Sequence, residues 1–144
     1  MKRTWFKRTP LVTALTASFA AFAFAGAAYA ADVKVSLSGA QEVPPIKTEA
    51  SGSGSFTINA DKSISGSVTT KGIKGTAAHL HEAAMGKNGG VAVPLTKSND
   101  DTFAIPAGAK LTDAQYSAYQ AGNLYVNVHS AANPDGEIRA QLKP

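Results

Sequence analysis

From Val33 to the C-terminus the chain alternates apolar and polar residues with a period of two, and no other feature narrows its folding choices as much. Successive side chains of a β-strand point to opposite faces, so this alternation suits a strand with one buried face and not a helix, whose period is about 3.6 residues. Val33, Val35 and Leu37 alternate with Lys34, Ser36 and Ser38. Phe56 and Ile58 face Ile64 and Val68 across the turn residues Asn59 to Lys62, which predicts an antiparallel hairpin with Gly66 at a bulge. Val91, Val93 and Leu95 resume the alternation, and Phe103 and Ile105 follow a polar turn from Lys97 to Asp101. Near the end, Leu124, Val126 and Val128 form one apolar row, and Ile138, Ala140 and Leu142 form another with Glu137, Arg139 and Gln141 facing away. Short strands at this spacing predict an all-β, antiparallel Greek-key β-sandwich, with a small closed barrel as the alternative.

One helix interrupts the strands. Thr112 as N-cap with Gln115 three residues on makes a capping box, Leu111 and Tyr116 can form a hydrophobic staple, and Gly122 sits where a C′ glycine belongs. These signals predict a short helix from about Asp113 to Ala121.

The first thirty residues have the layout of a secretory signal. Lys2, Arg3, Lys7 and Arg8 form a basic start, Leu11 to Ala27 an apolar stretch, and Ala28-Tyr29-Ala30 a small-residue cleavage motif. The expected division is therefore residues 1–30 as signal peptide and 31–144 as one domain, with cleavage between Ala30 and Ala31 and a periplasmic or secreted product; a retained N-terminal anchor is the alternative. The whole chain carries 14 basic and 10 acidic residues, a net charge of +4. Four of the basic residues lie in the leader, so the mature chain is close to neutral and has no basic patch for nucleic acid. Cysteine is absent, which excludes disulfides, thiolate metal sites and a cysteine nucleophile. No later stretch is apolar and long enough to span a bilayer.

The chemistry concentrates in two stretches, Ala77-Ala78-His79-Leu80-His81 and Tyr125-Val126-Asn127-Val128-His129, which hold all three histidines. His79 and His81 share a strand face while Ala78 and Leu80 point into the core; Tyr125, Asn127 and His129 share the polar face of the second strand. If these strands are neighbours, three imidazoles meet on one side of a sheet. Neutral imidazole is the commonest metal ligand, and copper tops the affinity order for such nitrogen sets, so the expected cofactor is a copper ion held by His79, His81 and His129, with zinc second. Met85, Glu82, Glu137, water or another subunit are the candidates for a fourth ligand. The competing reading is a solvated pair of strand histidines, with Met85 anchoring a loop and Glu137 paired with Arg139. Asn127 reads as structural, able to hydrogen-bond a ligand histidine or a loop backbone. The tandem Pro44-Pro45 reads as a rigid extended segment or a protected sheet edge. The turn Asn133-Pro134-Asp135-Gly136 is accounted for by turn chemistry alone. No nucleophile elbow, zinc-protease helix or glycosidase-like acidic pair is present, so an enzyme here would have to work through the metal.

Three blocks carry a resemblance. Leu37-Ser38-Gly39-Ala40-Gln41-Glu42-Val43-Pro44-Pro45, Ala78-His79-Leu80-His81 with its glycine-rich follow-on, and Leu124 to Arg139 resemble the CHRD (chordin) domain family across nearly all of residues 31–144. The resemblance implies a β-sandwich module of exported or extracellular proteins. The histidine layout is also similar to copper-zinc superoxide dismutases, so the fold is expected to be immunoglobulin-like or superoxide dismutase-like, although three histidines are too few for a two-metal site. The function expected is an exported metal-binding β-sandwich. A metal-free extracellular interaction module, with a protein partner or a second copy of the chain, is the alternative, and a superoxide dismutase-like redox enzyme is third.

Overall fold

A computed structural model describes residues 30–144; the signal sequence expected at residues 1–30 lies, but for Ala30, outside the described residues. Nine strands form one antiparallel sheet: β1 (Ala31–Ser38), β2 (Ser51–Ile58), β3 (Ile64–Lys71), β4 (Gly75–Glu82), β5 (Gly90–Pro94), β6 (Thr96–Asn99), β7 (Thr102–Ala104), β8 (Leu124–Ser130) and β9 (Ile138–Leu142). Their order across the sheet is β5-β4-β8-β9-β1-β2-β3-β7-β6. The two ends of that order, β5 and β6, are separated in the chain by Leu95 alone. One continuous segment therefore pairs with β4 through its first half and with β7 through its second, wrapping the sheet into a nearly closed, sandwich-like barrel. The all-β antiparallel expectation holds, with one short helix.

Alternation places the core where the residues predict it. Val33, Val35, Leu37, Phe56, Ile58, Ile64 and Val68 are buried from the meander β1–β3. Ala78, Leu80, Leu124, Val126, Val128 and Ile138 are fully buried from the opposite side. Each such aliphatic or aromatic side chain contributes roughly 1.5–3 kcal/mol through removal from water. Val91 departs from the expected row: it is 55% exposed, because β5 carries one extra residue, Ala92, between the Leu80↔Val93 and His81↔Val91 pairs, which puts Val91 on the outer face beside His81. Gly66 is not at a bulge; β2 and β3 stay in register through Phe56↔Gly66.

The helix α1 (Asp113–Gln120) forms as its caps dictate. Gln115 N–H donates to the Thr112 hydroxyl, the Gln115 side chain accepts from the Thr112 N–H, and Gly122 follows with φ +73°. Lys62 in the β2–β3 turn pairs with Asp113 in the first helical turn. No helix among the described residues is long and apolar enough to cross a membrane.

The Gly39–Pro45 block is not a sheet edge. A single 3-10 turn at Gly39–Gln41 ends β1, and the chain then runs as a loop to β2, with Asn88 donating to the Val43 carbonyl at 2.7 Å and Glu42 buried beneath it. That loop, the 83–89 loop and the 131–137 turn together cover the outer face of β8. All seven residues of β8 are buried as a result, so the face the alternation marks as polar is covered rather than solvated.

Candidate metal centre

β4 and β8 are neighbours, and their register sets the site. His79 lies opposite Asn127, His81 opposite Tyr125, and His129 opposite Ala77. Because one-residue alternation puts His79, His81, Asn127 and His129 on the same outward face, three rings from two distant stretches converge. One ring nitrogen from each histidine lies within 4.8 Å of the others. His81 and His129 are buried, and His79 is half-buried.

Backbone carbonyls fix two of the three tautomers. A carbonyl can only accept, so the 3.0 Å contact of His81 Nδ1 with the Gly89 carbonyl and the 2.8 Å contact of His129 Nδ1 with the Pro134 carbonyl both require Nδ1–H. Nε2 of each ring then carries the lone pair. His79 Nδ1, 2.9 Å from His129 Nε2, must be the donor in that pair. An ion between them replaces that hydrogen bond: with the His79 proton moved to its Nε2, two nitrogens at this separation can both sit at the roughly 2.0–2.1 Å distance typical of an imidazole–metal bond. This is the outer support a metal-ligating histidine ordinarily has, a second ring nitrogen tied to the backbone.

Electrostatics favour the neutral form of His79 and His81. Burial, with the neighbouring His129 and His81 rings adding to it, lowers the pKa of His79. Burial also lowers that of His81, opposed by the Gly89 carbonyl and by the neighbouring Asn127 side chain. A neutral ring is the ligating form, so both shifts favour metal uptake.

The residues around the rings were only partly legible as site residues. Tyr125 stacks on His81 at 4.9 Å with ring planes 6° apart, and the guanidinium of Arg139 lies 3.4 Å from the centre of the Tyr125 ring. Arg139 also donates to the Lys87 carbonyl at 2.8 Å and to Asn88 Oδ1 at 3.1 Å, holding the 83–90 loop over the site. Glu42, which carried no role in the sequence reading, is buried beside Asn127; burial drives its carboxyl up to about 7, against the Arg139 charge, the Asn127 amide and the Val43 N–H. A lone acid inside the Val-Pro-Pro block was the available signal. The 133–136 turn, read as turn chemistry alone, and the glycine-rich loop after His81 supply the Pro134 and Gly89 carbonyls that orient the rings. A side chain on Gly89 would meet the Glu82 carbonyl at 1.8 Å, which is why that loop closes so tightly on β4.

The sequence candidates for a fourth ligand stand elsewhere. Met85 does not anchor its loop: it is 62% exposed and lines a cleft of about 380 Å³ with Val43, Pro45, Glu42 and Arg139. Glu82 is exposed. Glu137 is not paired with Arg139; its carboxylate accepts from Thr48 at 2.7 Å and from Ser130. Burial pushes that carboxyl up, but the hydrogen bonds from Ser130, Thr48 and Asn133 together hold it below the ordinary glutamate range.

A wrapped antiparallel sheet bearing a covered three-histidine cluster on its outer face defines an all-β module with a candidate transition-metal centre. The chain belongs to the CHRD domain family, whose model matches residues 33–142. No curated protein and no solved structure shows significant similarity to the chain.

Proposed function

We propose that this CHRD domain is an exported metal-binding protein that takes a copper ion, with zinc as the second choice, through His79, His81 and His129. The observation that carries this reading is the aim of the rings: two Nδ1–H groups are tied to the Gly89 and Pro134 carbonyls, so that both Nε2 lone pairs are fixed, and that of His129 lies 2.9 Å from His79 Nδ1. Three imidazoles and no thiolate favour Cu(II) over the other divalent first-row ions. Export follows from the basic, apolar and Ala-Tyr-Ala succession at residues 1–30.

Metal analysis of the untagged protein, followed by Cu(II) titration of wild type and His81→Ala, tests the reading. Tight one-to-one binding by wild type and its loss in the variant is the expected result. Equal, weak binding by both removes the metal site. In that case the cleft lined by Val43, Pro45, Met85 and Arg139, with its exposed thioether, supports the second reading, an extracellular interaction module.

A further inference from the structure

Among the described residues three buried side-chain polar atoms have no hydrogen-bond partner: His81 Nε2, Asn127 Oδ1 and Glu42 Oε1. They are not scattered. The Asn127 amide lies between the other two, within hydrogen-bonding reach of the Glu42 carboxyl on one side and of the His81 ring on the other. Orphaned buried polar groups cost roughly 1–3 kcal/mol each, so three in one row call for a missing partner.

The kind of partner follows from which atoms are left over. His81 Nδ1 spends its proton on the Gly89 carbonyl, so Nε2 offers only a lone pair. The Asn127 amide nitrogen and Glu42 Oε1 are packed on the same spot, each 2.6 Å from where a side-chain carbon on Gly136 would stand. The donor end of the amide therefore faces the acid, and the carbonyl end faces away from it. That leaves Oδ1 and His81 Nε2, two lone-pair donors with no proton between them. A cation satisfies both at once, and a hydrogen bond between the two cannot form.

We infer that Asn127 Oδ1 is the fourth donor of the metal centre, and that Glu42 is the positioning residue that turns the carboxamide so its oxygen joins the three imidazoles. The inference rests on the three-histidine reading and deepens it. Asn127 sits opposite His79, diagonal to His81 and two residues from His129, so the His79–Asn127 pair stands in the middle with His81 and His129 one step to either side along adjacent strands. The resulting set is three nitrogens and one carbonyl oxygen. Carbonyl oxygen is a hard, neutral donor, which selects a divalent ion such as Cu(II) or Zn(II) over Cu(I), whose preference is for sulfur. The thioether of Met85 is no rival: it is exposed in the cleft beside Arg139.

The test compares Cu(II) and Cu(I) affinities, by competition with chelators, for the untagged wild type, Asn127→Leu and His129→Ala. Asn127→Leu is expected to bind Cu(II) at least tenfold more weakly with a changed Cu(II) electron paramagnetic resonance spectrum, while its Cu(I) affinity stays within about twofold of wild type. Asn127→Leu matching wild type in Cu(II) affinity and spectrum, with His129→Ala binding only weakly, overturns the asparagine ligand and leaves the histidine site standing. No Cu(II) binding by wild type ends both. Since Asn127 is buried, the wild-type protein labelled with ¹³C at the asparagine carboxamide gives an independent readout. A ¹³C hyperfine coupling to bound Cu(II) is expected at one asparagine and is lost in Asn127→Asp, whose side chain carries no label; its absence overturns the proposal whatever the variants do.

Discussion

Arg139 lies over the Tyr125 ring, its guanidinium carbon 3.4 Å from the ring centre, and Tyr125 in turn stacks on His81. β8 runs between β4 and β9, so the three side chains come from three adjacent strands and form one layered row across the outer face of the sheet. The row explains how a guanidinium that is 2% exposed is tolerated: its charge meets a π face, and its N–H groups meet the Lys87 carbonyl, Asn88 and Gln141.

Arg139→Lys should therefore be far from conservative. An ammonium cannot stack flat on Tyr125, nor can it reach the Lys87 carbonyl and Asn88 as a planar fork. The expected loss is about 2–3 kcal/mol in urea unfolding, with faster amide exchange across residues 83–90. A loss below about 0.5 kcal/mol, with exchange unchanged, would show that the loop is held by other contacts.

Gly136 links the turn to the site. Its φ is +131°, and a methyl group there would stand 2.6 Å from both the Asn127 amide nitrogen and Glu42 Oε1. Gly136→Ala must strain the backbone and push these side chains aside, at a cost of about 2–3 kcal/mol. It should also weaken metal binding, since the same turn carries the Pro134 carbonyl that orients His129. Unfolding midpoints and metal titration of one preparation check both effects; a stable variant with wild-type affinity would show that the turn merely closes β8 onto β9.

Period two told which way Leu80, Val126 and Ile138 face, and the capping box told where the helix starts, because both are local patterns with one physical reading. The pairing of β4 with β8 was legible only as a condition, since two polar strand faces with histidines gain from being neighbours. What lies over those faces was not legible. Burial of Glu42, Asn127 and Arg139 arises from three loops folding back onto an outer sheet face, and loops carry turn signals but no periodicity that says where they lie. For the same reason Pro44-Pro45 read as a sheet edge, and Glu137 was assigned to Arg139 rather than to Thr48 and Ser130.

Glu42 and the histidines should pull stability in opposite directions with pH. His79 and His81 have pKa values lowered by burial, so below about 6.5 the unfolded chain binds protons that the native rings refuse. Their stabilisation is present above that pH and is lost as pH falls. Glu42 is raised by burial to about 7, so its native carboxyl keeps a proton that the unfolded chain releases above about 4.5. Its stabilisation is present below that pH and is lost as pH rises to about 7. In metal-free protein, Glu42→Gln removes only the second effect. The stability of the variant relative to wild type should grow by on the order of 2 kcal/mol between pH 4.5 and pH 8, read from urea unfolding at each pH. A difference constant across that range would mean that Glu42 is already ionised in the native state.

If the three rings bind an ion, folding and binding must be linked, because the unfolded chain scatters His79 and His81 from His129 by about fifty residues and keeps at most the local pair. Free metal at a hundred times its dissociation constant should add about 2.7 kcal/mol to unfolding. For a domain of this size that raises the melting midpoint by several degrees. His129→Ala keeps the His79–His81 pair, so it should retain weak binding but lose most of the shift. The gain should shrink once pH falls below the lowered pKa values of His79 and His81, since protons then compete for the ligand nitrogens. Calorimetric melting with and without Cu(II) or Zn(II) at pH 7.5 and pH 5 measures this directly. A midpoint shift that is equal in wild type and His129→Ala would place the ion on the His79–His81 pair alone and detach β8 from the site.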